Sequence, residues 1–90
     1  MRDDLLARLR DEARDAYTWS NEPGYRYGAH RHAYTKILYC LHGSIEFVVE
    51  PEGRVIALRE GDRMELSAGT LHSALVGPHG VICAEGKRPA

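Results

Sequence analysis

Turn-forming residues divide most of this 90-residue chain into short segments, and this punctuation constrains the possible fold more than any other feature. The segments are separated by glycine-containing groups at residues 21–25, 42–43, 51–53, 60–62, 68–70 and 77–80. We expect a turn at each group, including a hairpin at His42 and Gly43. About eight strand-like runs follow one another with no helical pattern between them. The sequence therefore predicts an all-β antiparallel barrel or sandwich.

The chain begins differently, with a helical pattern. From Asp3 to Ala16, apolar residues such as Leu5 and Leu9 recur at helical spacing. Asp3 or Asp4 can cap the first turn. We therefore predict a helix at 3–16, within an N-terminal segment of residues 1–16 that lies outside a single β-barrel domain over 17–90. A chain of this length leaves no room for a second core.

The strand-like run before His42 has two apolar faces. The even-numbered residues from 30 to 40 share one face, and Ile37, Tyr39 and Leu41 share the other. If the first face lines the barrel, the second needs a cover, which is either the N-terminal helix or another subunit. A large exposed apolar patch is unusual on a monomer, so we expect a homodimer.

Composition excludes several classes of partner. The net charge is −1, and the basic residues are scattered, so we expect no nucleic acid partner. We also expect no membrane partner, because no apolar run is long enough to cross a bilayer. The charged N-terminus is unlike a signal peptide. Cys40 and Cys83 form no CxxC pair, and both are expected to be reduced residues of a cytoplasmic protein.

The stretch GAHRHAYTK, from Gly28 to Lys36, carries the chemistry. His30 and His32 stand two residues apart, and on a strand such residues point to the same side. They can therefore offer two imidazoles to one metal ion. Lys36 follows four residues later, and a cation beside a bound metal ion costs energy.

Two spaced patterns surround these residues. The first runs Gly24, five residues, His30, one residue, His32, three residues, Lys36, six residues, Gly43. The second runs Gly61, five residues, Ser67, one residue, Gly69, two residues, His72, three residues, Val76. Both resemble the conserved motifs of the cupin superfamily over about residues 19–85. The departures are Lys36 in place of an acidic ligand, Ser67 in place of proline and Val76 in place of asparagine.

The resemblance implies a small single-domain cupin of the type-2 conserved-barrel kind, a jelly-roll barrel that is often homodimeric. It also implies that His30, His32 and His72 bind one divalent transition metal ion. Imidazole suits Fe, Zn, Ni, Cu and Mn, and the sequence does not choose between them. Three ligands leave coordination positions open, as in catalytic sites.

Several interpretations of Lys36 remain open. Its ammonium can point into the pocket beside the ion, where it would bind an anionic substrate group or transfer a proton. It can pair with a carboxylate and keep clear of the ion, or a bulge can turn it to solvent. It can also replace the metal charge in a metal-free pocket that binds an organic anion. Lys36 is thus a candidate catalytic residue.

Other residues near the histidines have lesser roles. Tyr34 is, with Lys36, a candidate substrate-binding residue. His42 and His79 are expected to be solvated loop residues. Trp19 and Cys40 are expected to pack in the core.

The functional hypothesis is a metal-binding cupin that acts on a small oxygen-rich or anionic substrate, as a dioxygenase, isomerase or lyase. The alternative is a non-catalytic module that binds or senses a small ligand. Fold alone does not distinguish these, since one fold hosts many chemistries.

Overall fold

A computed structural model describes residues 2–89 of the chain as one helix and six strands. The elements are α1 (Arg2–Glu12), β1 (Arg14–Asn21), β2 (Arg26–His30), β3 (Thr35–Val49), β4 (Arg54–Arg59), β5 (Arg63–Leu66) and β6 (His72–Arg88). Every strand pair is antiparallel. The predicted all-β class with an N-terminal helix is therefore confirmed.

Two long strands form the centre of the fold. β3 and β6 pair along most of their length, from Thr35 opposite Arg88 to Val49 opposite His72. β6 also pairs with β1 and β2, and β3 also pairs with β4 and β5. Each long strand therefore has different neighbours at its two ends, which produces the two-layered jelly roll.

The predicted hairpin at His42 and Gly43, and the predicted turn at 77–80, are wrong. Both segments lie inside the long strands, so the expected eight runs become six strands. The register of β3 and β6 shifts twice, between Cys40 and His42 and again after Gly43. These β-bulges bend the strands without ending them, because pairing continues on both sides.

The bulges also change which residues face inward. Before them the even-numbered Leu38 and Cys40 lie in the main core, whereas beyond them the odd-numbered Ile45 and Phe47 do. The other members of that buried cluster come from all of the strands except β1 and β2. The bulges therefore keep one apolar face directed inward along the whole of β3.

The N-terminal helix covers the second apolar face of β3. Leu5 and Leu9 are buried against Ile37, Tyr39 and Leu41 in a separate cluster. Of the two covers considered for this face, the helix is therefore the one observed. The homodimer stays a prediction, but this face no longer supports it, because no large apolar area is left there.

The helix is shorter than the predicted 3–16. It ends at Glu12, and residues 14–16 belong to β1, where Arg14 lies opposite Lys87 of β6. Ala13 and Ala16 still pack against the helix-covered cluster. Their helical spacing was therefore a real sign of burial, but backbone pairing with β6 outweighed the local helical preference. No helix within residues 2–89 has the length and apolar character that crossing a membrane requires.

Candidate functional site

Three histidines meet at one end of the barrel. His30 is the last residue of β2, and it lies directly opposite His72, the first residue of β6. His32 lies beyond the end of β2, in the connection to β3, so the expectation that it shares a strand with His30 is wrong. The backbone oxygen of His32 accepts a hydrogen bond from the Gly69 amide at 2.8 Å. This hydrogen bond connects the segment of the first sequence pattern to that of the second.

The three imidazoles are close enough to share one ion. One ring nitrogen from each of His30, His32 and His72 lies within 4.8 Å of the others. The ring centroids are 4.4 Å apart for His30 and His72, and 4.9 Å apart for His30 and His32. Sequence reasoning selected these three residues, and the fold brings them together.

Hydrogen bonds orient two of the rings. The Nδ1 atom of His30 lies 2.8 Å from the carbonyl oxygen of Gly28, and Nδ1 of His72 lies 2.9 Å from that of Thr70. A carbonyl only accepts, so Nδ1 must donate in both rings, and in the neutral form of an imidazole Nε2 then keeps a lone pair. Such outer contacts are typical of metal-binding histidines. The Nε2 atom of His72 is buried and has no hydrogen-bond partner among the described residues.

The surroundings favour neutral imidazoles. Burial lowers the pKa of His32, and the positive charge of Lys36 lowers it further. Burial also lowers the pKa of His72, although the hydrogen bond to Thr70 opposes this shift. Both rings are therefore uncharged at neutral pH, the form that binds metal ions.

We expect the metal-free protein to lose stability as the pH falls below about 6.5, the usual pKa of histidine. Between this value and the lower folded-state pKa values of His32 and His72, the unfolded chain takes up protons that the native protein does not. Unfolding therefore becomes easier as the pH falls. Urea titrations of chelator-treated protein, at pH values from about 7.5 to about 5.5 that span this pKa, measure how the free energy of unfolding changes with pH. In the variant carrying His32→Gln and His72→Gln, the free energy of unfolding should change less with pH. An equal change would show that these two histidines do not cause the pH dependence.

Lys36 points into the barrel, and only 6% of its surface is exposed. Its Nζ atom lies 3.5 Å from Oε1 of Glu85 and 5.6 Å from the centre of the Phe47 ring. Of the alternatives considered for Lys36, the outward placement is therefore wrong, and pairing with a carboxylate is the arrangement observed. The pair is not clear of the histidines, because Lys36 and Glu85 line the same cavity as His30 and His32.

Glu85 was missed by sequence reasoning. Only 4% of it is exposed, and its Oε1 atom accepts a hydrogen bond of 2.8 Å from the indole Nε1 of Trp19. Its place on β6, opposite Leu38 of β3, makes it a diagonal neighbour of Lys36. The sequence did contain a signal for Glu85. It lies two residues from the buried Cys83, so both side chains are on the same face of the strand, and a buried acidic side chain needs a partner.

The cavity beside the histidines has a volume of about 230 Å³. Its lining comprises Tyr17, Trp19, Tyr27, His30, His32, Lys36, Phe47, Ala74 and Glu85. Burial, followed by the charge of Glu85, raises the pKa of Tyr17, so this tyrosine stays protonated at the cavity mouth. A larger cleft of about 680 Å³, which includes Ser44 and Gly77, contains none of the three histidines. The smaller cavity is therefore the candidate site.

The remaining predicted residues lie at the surface, in the core and near the cavity. His42 and His79 are exposed, although both lie in long strands rather than in loops. Cys40 is buried in the main core, opposite Cys83, and both are free thiols. Trp19, expected in the core, is partly buried against the main core and also lines the cavity. The ring centroid of Tyr34 lies 4.8 Å from that of His32, with the ring planes tilted by 41°, and the substrate-binding role of Tyr34 stays a prediction.

Comparison with known proteins agrees with this architecture. Residues 17–88 match the family profile Cupin_2, described as a cupin domain, so the chain belongs to the cupin family. A search of curated proteins finds no significant match.

Solved structures with this fold include an RmlC-like cupin from Shewanella frigidimarina, at 24% identity and a TM-score of 0.71. The alignment covers 83% of this chain and 65% of that one. The DMSP lyase DddQ from Ruegeria pomeroyi is 25% identical, with a TM-score of 0.74, over 81% of this chain and 36% of the lyase. Oxalate decarboxylase from Bacillus subtilis is 21% identical, with a TM-score of 0.72, over 82% of this chain and 20% of the enzyme. This chain therefore spans less than two thirds of the length of each of these proteins.

Proposed function

We propose that this cupin holds one divalent transition metal ion on His30, His32 and His72 and binds a small oxygen-rich or anionic molecule beside it. The observation that carries the proposal is the buried Nε2 of His72, which has no partner in the described structure and lies with two other imidazoles around one point. An unpaired buried nitrogen costs stability, so a ligand for it is expected. A metal ion would supply that partner.

The donor set fits such an ion. Neutral imidazole binds Fe, Zn, Ni, Cu and Mn, so the choice of metal rests on supply and geometry rather than on the ligands alone. When bound, the ion would supply a Lewis acid with open positions for a ligand. The chain itself supplies the orientation of the rings through Gly28 and Thr70, and the walls that limit ligand size.

Lys36 should weaken metal binding at this site less than its charge alone predicts. An isolated ammonium beside the histidines would oppose a dication, but the carboxylate of Glu85 lies 3.5 Å away and offsets that charge. We propose that Lys36 and Tyr34 bind the ligand, because Lys36 lines the cavity and the ring of Tyr34 lies beside that of His32. The similarity to a lyase at 25% identity supports lyase chemistry ahead of dioxygen cleavage.

Metal analysis of protein expressed without a histidine tag tests the proposal. We expect one ion per chain after growth in metal-supplemented medium, or after reloading of chelator-treated protein. The variant His42→Ala is a matched control, because this exposed histidine lies outside the cluster and its loss should leave the stoichiometry unchanged. Failure to load Zn(II), Ni(II), Mn(II), Cu(II) or Fe(II) would refute the metal site. A small molecule retained by metal-free protein would favour the non-catalytic binding module.

A further inference from the structure

A buried ion pair forms part of the wall of the histidine cavity. Lys36 and Glu85 are 6% and 4% exposed, and their charged atoms are 3.5 Å apart. Removing two charges from water is costly, and apolar residues of similar size often stabilise a fold as well or better. Packing alone therefore does not explain the pair, and its place on a cavity wall points to a ligand.

Both members of the pair have unused hydrogen-bonding capacity. The contacts from Lys36 and Trp19 go to the same oxygen of Glu85, Oε1, and the hydroxyl of Tyr17 also interacts with this carboxylate. A carboxylate has about four acceptor sites, so Glu85 can still accept from a ligand. An ammonium has three donors, and Lys36 has one carboxylate partner within residues 2–89. The pair thus presents an acceptor and a donor side by side.

The indole of Trp19 fixes the position of the acceptor. Its Nε1 donates to Glu85 from β1, whereas Lys36 lies on β3, so the carboxylate of β6 is held from both sides. A carboxylate held in this way cannot easily rotate to leave the cavity. Glu85 is therefore placed to recognise a ligand group rather than to move aside for it.

We infer that Lys36 and Glu85 form a ligand subsite for a small hydroxy acid. In this subsite Lys36 binds the carboxylate of the ligand, and Glu85 accepts a hydrogen bond from its hydroxyl group. The inference extends the proposed function, because the same ligand would lie beside the metal. A cavity of about 230 Å³ suits a molecule of a few heavy atoms. The pair is neutral as a whole, which favours a monoanion with a hydroxyl group over a dianion that Glu85 would repel.

Two probe molecules test the inference on the Zn(II)-loaded full chain. Glycolate and methoxyacetate carry the same charge and the same carboxylate, but only glycolate has a hydroxyl proton to donate. Calorimetry should show glycolate binding about tenfold or more tightly, the usual effect of a hydrogen bond to a charged group. If neither probe binds, or if methoxyacetate binds equally well, the inference is overturned.

Two substitutions separate the acceptor from the ion pair. Both Glu85→Met and Lys36→Met destroy the pair, but only Glu85→Met removes the acceptor. We expect the preference for glycolate to disappear in Glu85→Met and to persist in Lys36→Met, where both probes bind more weakly. Loss of the preference in both variants, or in neither, would overturn the inference. If Glu85→Met does not fold, Glu85→Gln replaces it, and the preference should fall several-fold because a neutral acceptor is weaker.

A separate Zn(II) titration of each protein distinguishes this inference from the proposed function. Absence of metal binding in the unmodified chain would refute the proposed function, and the two probes would then be compared on the metal-free chain. Lys36 and Glu85 remain in place there, so the same preference and the same response to the two substitutions are expected. An absent preference in the metal-free chain would then overturn the inference as well.

Discussion

His72→Ala is expected to abolish tight metal binding. His72 is 1% exposed, and its Nε2 has no partner in the described part of the chain other than a potential ion. Its removal leaves two imidazoles, one of them in a connecting loop. We expect the affinity for Zn(II) to fall by at least about 100-fold, equivalent to about 2.7 kcal/mol. His30→Ala and His32→Ala should have similar effects.

Calorimetric titration of untagged, chelator-treated protein measures this loss. Thermal unfolding gives a second readout, because an ion that binds only the native state raises its stability. Zn(II) should raise the melting temperature of the unmodified protein and of the control His79→Ala. His79 lies on the same strand as His72 but is exposed. Full metal affinity in His72→Ala would show that the three imidazoles do not act together.

Gly43→Ala is expected to produce the largest loss of fold stability among simple glycine substitutions. A Cβ atom at this position would lie 2.0 Å from the backbone oxygen of Gly80 and 2.8 Å from its carbonyl carbon. Both atoms belong to the backbone of the paired strand β6, so they cannot rotate away. Gly43 also has a φ of 76°, which L-residues other than glycine adopt at a cost. We expect a loss of about 3 kcal/mol or more.

Gly24→Ala separates the two causes. Gly24 has the same φ of 76°, but a Cβ there would meet no atom within 4 Å. Gly24→Ala should therefore lower the free energy of unfolding by about 1 kcal/mol, through the backbone conformation alone. Urea unfolding of the three proteins measures both effects. Equal losses in the two variants would show that the close approach of β3 and β6 at Gly43 is not important for stability.

The two sequence motifs predicted much of the fold and of the candidate site. Glycine positions and apolar alternation identified the strands, because both reflect local backbone geometry and the period of a half-buried sheet. The spacing of His30 and His32 suggested a metal-binding pair, and the resemblance to the cupin motifs added His72 to it. The same local signals failed at 42–43 and 77–80, where glycine marks bulges within long strands. Glycine permits a positive φ in a turn and in a bulge alike, so the residue type does not distinguish them.

The ends of the helix and the partner of Lys36 were decided by contacts between distant segments. Ala13 and Ala16 fit a helix by spacing, yet pairing of β1 with β6 ends the helix at Glu12. No local pattern places Glu85 beside Lys36, since 49 positions separate them in the chain and only the register of β3 and β6 makes them neighbours.

The sequence by itself therefore determined the all-β class, which depends on periodicity, and the family resemblance, which in turn implied the three histidines. Three features were decided only by the tertiary structure. These are the helix that covers Ile37 and Tyr39, the bent central strands, and the buried pair of Lys36 and Glu85. The physical reason is that a buried charge must find its partner in space. Strand register, which sets that partner, is a property of the whole sheet.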